Sequence, residues 1–187
     1  MITQRFTLLA SVFPLLGVAG AQAQAQAPIE LRAGMVITQS TRILPRTYRL
    51  PASASLDSAV ITIRGDNITV DFAGATLDGS APDAAPDAAS GVGIRVDGGR
   101  NIRILNAHVR GYRFGILARG TRGLSLIDND LSYSWKPRLY STVEHESLID
   151  WLSFHHNEKD EWMRYGAGAY LADVQGGEIR GTTADQG

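Results

Sequence analysis

The side chains best suited to chemistry are crowded into one stretch, residues 134–165. It holds all three tryptophans and three of the four histidines. His145, His155 and His156 are candidates for taking or returning a proton, because histidine is the usual residue for proton transfer near neutral pH. Lys136, Arg138 and Arg164 are cations of the kind that hold carboxylates, and Arg164 is also grouped with the candidate catalytic residues. Trp135, Tyr140, Trp151, Trp162 and Tyr165 offer flat rings that stack on sugar faces. Asp150, Glu158, Asp160 and Glu161 include candidates for the paired carboxylates of glycoside hydrolysis. The competing reading is structural: the aromatics pin the stretch to a scaffold and the charges form its solvated face.

A metal centre is not indicated. Adjacent His155 and His156 seldom aim at one ion, and neither His-x-x-x-His nor Glu-x-x-His spacing occurs. Within the stretch, Ser141 followed by Glu144 is a capping-box signature. Val143, Leu148, Trp151 and Leu152 then share one helical face, which predicts a short helix near 142–153.

The scaffold that must position these groups is a repeat. Gly93-Ile94-Arg95-Val96 recurs as Gly115-Ile116-Leu117-Ala118, and Asn101-Ile102-Arg103-Ile104 as Gly123-Leu124-Ser125-Leu126, each at a spacing of 22. Gly168-Ala169-Tyr170-Leu171 follows Gly115 at a spacing of 53, so the 134–165 stretch interrupts the period by 31. Val60, Thr62, Ile68 and Val70 precede Ile94, Val96, Ile102 and Ile104 at a spacing of 34. The excess of 12 matches the Ala/Pro/Asp/Ser-rich loop at 80–91.

Inside each unit apolar residues alternate with polar ones, the strand period of two. Three short strands in each unit of that length cannot make in-phase hairpins. They fit a coil in which each strand stacks in parallel on its counterpart one turn later. The expected fold is all-β: a right-handed parallel β-helix (solenoid) with 22-residue coils and a partly helical insertion. A leucine-rich repeat lacks its register here, and a β-sandwich has no such phase. On this pattern His108, Arg95, Arg103 and Arg110 point to solvent, and Asn101, Asn106 and Asn129 suit tight corners where Asn tolerates left-handed backbone.

The remainder of the chain frames this unit. Residues 1–25 read as a secretory signal peptide: Arg5, an apolar run from Phe6 to Val18, and small residues with cleavage options at Ala21, Ala23, Ala25 and Ala27. That predicts a secreted or periplasmic protein with no membrane span after signal removal. Residues 26–58 read as a lead-in or cap, and 59–187 as coils. The last unit stops inside a coil without an evident cap, so an incomplete solenoid is expected. There are no cysteines, and the net charge of −1 gives no electrostatic case for nucleic acid. The pattern sets no oligomeric state.

The stretch Asn67-Ile68-Thr69-Val70-Asp71-Phe72-Ala73-Gly74-Ala75-Thr76-Leu77-Asp78-Gly79, with the repeats at 93–133 and 166–181, resembles an early coil of the pectate-lyase-like right-handed β-helix superfamily. That superfamily includes polysaccharide lyases, glycoside hydrolases, uronan epimerases and pectin esterases, and also periplasmic β-helix proteins of maturation type that are not glycan enzymes. The Gly-His-Gly of polygalacturonases and the Asp-Pro-His-Asp of alginate epimerases are absent. The resemblance implies a polysaccharide partner, an acidic glycan acted on by a lyase or epimerase before a hydrolase. The alternative is a non-catalytic glycan-binding or maturation-type protein. No cofactor is evident. The resemblance leaves room for calcium on the acids, since several superfamily lyases use it, but no acid spacing here demands it.

Overall fold

The computed structural model describes residues 27–81, 89–134 and 166–185. They are all-β, with no helix among them. The strands are β1 (Met35–Ile37), β2 (Thr41–Arg42), β3 (Thr47–Arg49), β4 (Ile61–Ile63), β5 (Thr69–Asp71), β6 (Thr76–Asp78), β7 (Val92–Asp97), β8 (Arg100–Leu105), β9 (His108–Arg110), β10 (Phe114–Arg119), β11 (Arg122–Ile127), β12 (Ala167–Ala172) and β13 (Gln175–Arg180). They form three parallel sheets. The first is ordered β1-β4-β7-β10-β12, the second β2-β5-β8-β11-β13, and the third β3-β6-β9. Single bridges from His108 to Asp130 and from Asp130 to Thr183 extend the third sheet. Successive strands therefore visit the three sheets in turn, and each circuit forms one tier, five in all among the described residues.

The register follows the sequence repeat between the third and fourth tiers. Ile94 pairs with Ile116 and Val96 with Ala118, a spacing of 22 in both cases. Ile102 and Ile104 likewise pair with Leu124 and Leu126. The next step has the longer spacing of 53, pairing Ile116 with Ala169 and Leu126 with Ile179. One expectation is corrected. Ile61 and Ile63, not Val60 and Thr62, are the partners of Ile94 and Val96. Val70 does pair with Ile104, so the connection in the second tier is one residue shorter than in the third.

Alternation explains the core. Ile61, Ile94 and Ile116 stack inward, as do Val70, Ile104 and Leu126, all fully buried. Burying each such side chain contributes about 1.5–3 kcal/mol, and each tier needs the next to supply the cover. Corners are set by left-handed backbone in register. Ala73, Asn106, Asp128 and Gly181 have φ of 52°, 52°, 52° and 58° on successive tiers. Asn106 and Asn101 (φ 53°) are thus left-handed corner residues as expected. Asn129 is not. It is buried, its Oδ1 accepting from the Ala107 amide at 2.9 Å and its Nδ2 donating to the Ile104 carbonyl at 3.1 Å.

All the long connections leave at one corner, between the third sheet and the first: residues 51–60, 79–91 and 132–166. The first of these covers part of the outer face of the first sheet, where Leu56 and Ala59 pack on Val92, Phe114 and Leu117. Tyr170 meets Phe114 edge-on at 5.7 Å. Arg95 lies under the same cover and is only 15% exposed, its Nε donating to Asp97 at 2.8 Å. Its expected solvent position is therefore corrected, because the 51–60 segment folds back over it and its Nη1 bonds the Asp57 carbonyl. Past the fifth tier, Leu126, Leu131, Ala169, Ile179 and Ala184 line an open recess of about 350 Å³.

Candidate functional site

The residues singled out from the sequence as candidate catalytic groups, His145, His155, His156, Glu158, Glu161 and Arg164, lie outside the described residues. So do the candidate ligand-binding residues Trp135, Lys136, Arg138, Tyr140, Trp151 and Trp162, and the expected helix near 142–153. The two flanks of that stretch are described, and both are held to the scaffold. Buried Ser134 donates its hydroxyl to the Val109 carbonyl at 3.1 Å. Gly166, at φ 80°, lies so close to Arg113 that a Cβ would sit 2.0 Å from the Arg113 carbonyl oxygen, so only glycine fits.

Directly beside the Ser134 flank, the outer face of the third sheet carries a polar cluster. Strand register places Thr76, His108, Asp130 and Thr183 in one column across four tiers. Asp78 and Arg110 form the neighbouring column, because every second residue of a strand faces the same way. Together with Ser132 and Tyr133, the side chains of Thr76, His108, Arg110 and Asp130 line a shallow recess of about 90 Å³.

His108 Nδ1 lies 3.7 Å from Asp130 Oδ2, and both side chains are about half exposed. That separation exceeds a direct hydrogen bond but suits an ion pair once the imidazole is protonated. The hydrogen bonds that Asp130 receives from Ser132 hold its carboxyl below the usual carboxylate range. Burial opposes this, while Thr183 and the nearby His108 reinforce it. Asp130 is therefore a fixed anion at neutral pH, facing the His108 ring.

Arg110 is anchored by Asp78, whose Oδ2 accepts from Nε at 3.1 Å and from Nη2 at 3.0 Å. This leaves Nη1 of a half-exposed guanidinium for a ligand. Tyr133 completes the rim. It is 58% exposed and held at φ 57°, a left-handed conformation that costs an aromatic L-residue about 1–2 kcal/mol. Tyr112 is a contrasting phenol: it is buried, donates to the Leu50 carbonyl at 2.7 Å, and burial, with the charge of Asp78 adding to it, pushes its pKa far up. It is a packing residue.

The cluster thus brings an imidazole, a carboxylate, a guanidinium and an exposed ring into one recess. Alternation alone makes His108 a plain solvent residue. A signal is nevertheless present in the chain. Asp130 follows His108 by one 22-residue period, and Tyr133 follows Gly111 by the same step. Arg103 and Arg110 are exposed as expected. Among the described residues no three His, Asp or Glu converge as a metal site would require. No helix among them is long and apolar enough to cross a membrane.

Comparison with known protein families, with characterised proteins and with solved structures finds no match.

Proposed function

We propose that this protein acts on an acidic polysaccharide as a lyase or epimerase, on a right-handed parallel β-helix with 22-residue coils. The sheet order and the matching register of the third and fourth tiers support the coil. Right-handed crossovers are the rule for parallel strands. The observation that carries the chemistry is the His108–Asp130 pair with Arg110 and Tyr133 in one recess. In this reading His108 Nε2 takes the proton from C5 of a uronate, and Asp130 steadies the imidazolium. Arg110 offers Nη1 to the uronate carboxylate, the group whose electron withdrawal makes C5 labile. The C5 electron pair then forms the C4–C5 double bond as the C4–O4 bond breaks; the departing O4 takes a proton from water, and His108 releases the C5 proton to solvent. In an epimerase the C4–O4 bond stays intact, water delivers a proton to C5 from the opposite face, and His108 releases its proton to solvent.

Hydrolysis fits less well. It needs two carboxyl groups placed on either side of a glycosidic bond, and here Asp78 is tied to Arg110, leaving Asp130 alone. The proposal extends to the stretch 134–165, whose His145, His155, His156 and Arg164 join the chemistry and whose tryptophans grip the chain. Calcium, if bound, belongs with its acids. Export by the leader at 1–25 belongs to the same proposal.

A second reading, glycan binding without turnover, is favoured by the shallowness of the recess and by the 3.7 Å gap between His108 and Asp130. Incubation with a panel of polyuronates separates the two. Unsaturated, ultraviolet-absorbing ends mark a lyase and inverted C5 centres an epimerase. A protein that binds the panel and changes none of it is a binding protein.

A further inference from the structure

The fifth tier reaches into the His108 recess from above. Backbone bridges set Thr183 over Asp130, as they set Asp130 over His108. Thr183 is pinned there by its own main chain. Its carbonyl accepts from the Leu131 amide at 2.8 Å, and its amide donates to the Asn129 carbonyl at 2.9 Å. The Thr183 hydroxyl is thus delivered from a fixed backbone, and it donates to Asp130 Oδ1 at 3.3 Å.

A second contact from the fifth tier arrives through Ser132. The Asp185 amide donates to the Ser132 hydroxyl oxygen at 3.0 Å. A hydroxyl that accepts in this way still has its own proton to give, and Ser132 gives it to Asp130. Ser132 is buried, so its hydroxyl has little access to water. Its amide also donates to Asp130 Oδ1, at 3.0 Å.

These contacts sort the two carboxylate oxygens of Asp130. Oδ1 takes the Ser132 amide and the Thr183 hydroxyl. Oδ2 is the atom that faces His108 Nδ1. Arg110, two residues along the same strand face, is tied to Asp78 and does not compete for that place. A carboxylate oxygen attracts a proton on Nδ1 and repels a lone pair there. Its position therefore favours the Nδ1–H tautomer, which leaves the lone pair on Nε2.

We infer that Ser132 and Thr183 are positioning residues of the recess: they aim the Asp130 carboxylate and, through it, set the His108 tautomer whose Nε2 accepts a proton. The consequence for turnover rests on the reading of His108 as the base. The consequence for the tautomer does not, and it is measured without substrate.

The test is long-range proton–nitrogen NMR of the full chain labelled at histidine, with His108 assigned by the loss of its signals in His108→Gln. Carbon NMR follows the Asp130 carboxyl through an acid titration. In the parent protein the Nδ1–H form of neutral His108 should dominate. Ser132→Ala/Thr183→Val removes both hydroxyls. The Nδ1–H preference should then be lost, and Asp130 should titrate at higher pH, because hydrogen bonds that favour its charged form are gone. Thr183→Val alone, an isosteric change at an exposed residue, should move both readings the same way by less. Thr183→Ser should restore the parent behaviour, which a role in shape alone does not explain. Turnover of polyuronate should fall about tenfold in kcat in the double variant, with KM little changed.

The inference is overturned if His108 of the parent protein carries its proton on Nε2, or if the variants leave both the tautomer and the Asp130 titration unchanged. A tautomer that responds as expected in a protein without turnover upholds the positioning and sinks the catalytic reading instead. Thermal midpoints establish folding. If Ser132→Ala melts early, Thr183→Val against Thr183→Ser decides the matter.

Discussion

Asn129 provides the sharpest test of how the tiers are joined. It is 2% exposed and fastens the fourth tier to the third, accepting from the Ala107 amide and donating to the Ile104 carbonyl. Asn129→Ala removes both bonds at once. A buried amide left without an acceptor costs about 1–3 kcal/mol, and the lost bond to the carbonyl adds about 0.5–1.5 kcal/mol. The expected destabilisation is therefore ~2–4 kcal/mol, a large share of the ~5–15 kcal/mol typical of a folded domain. Asn129→Asp behaves differently. Its carboxylate still accepts from Ala107 but repels the Ile104 carbonyl, so its native pKa is raised above the unfolded value. A carboxyl with a raised native pKa stabilises the fold most when protonated, so this variant should recover stability relative to Asn129→Ala as the pH falls through that raised value. Equilibrium urea unfolding at several pH values measures both effects, with the slope checked for loss of cooperativity. A cost below about 0.5 kcal/mol for Asn129→Ala, within the range of ordinary surface substitutions, would refute the reasoning.

Two further expectations concern the outer faces. Asp97 is partly desolvated, which raises its pKa, but hydrogen bonds and charge from Arg64 and Arg95 outweigh this and leave it lowered; Asp130 is lowered as well. A depressed native pKa adds stability that is complete above the ordinary aspartate value of about 3.9 and is lost as the pH falls through the native value. Asp97→Asn should therefore lose less stability than the parent protein on acidification below about pH 4, as read by thermal melts across that range; an unchanged acid slope would contradict it. Tyr133→Gly relieves the left-handed strain at φ 57° on an exposed side chain, so it should raise stability by about 0.5–1 kcal/mol while weakening glycan binding. A destabilised variant, or one that binds as before, would show that the ring is placed for packing rather than for a ligand.

Much of the scaffold is legible in the sequence because a stacked architecture writes its period into the chain. Ile94, Ile116 and their neighbours recur at one spacing, and that spacing is the register with which β7 meets β10. Where the spacing is broken by an inserted loop, the reading slips. Val60 and Ile61 are both apolar, Val60 is also buried, and only the pairing of backbones shows that Ile61 is the inward partner. Arg95 is a similar case. Alternation correctly turns it away from the core, but a distant segment then covers it, and no local pattern records that. Asn129 resembles a corner asparagine because its residue type suits both roles; only its two backbone partners assign it. The His108 cluster is hidden for the opposite reason. Its members are scattered along the chain from Thr76 to Tyr133, and they converge only when the tiers are stacked.

Proton abstraction at C5 is common to the lyase and the epimerase, so one measurement addresses both. The full-length protein is incubated with polyuronates in deuterated water, and deuterium at C5 is followed by NMR, with His108→Gln alongside. C5 exchange or elimination by the parent protein, reduced at least about a hundredfold in the variant as loss of a general base allows, is the predicted result. A protein that binds a polyuronate yet leaves every C5 proton in place, or a His108→Gln variant as active as the parent, would contradict the account.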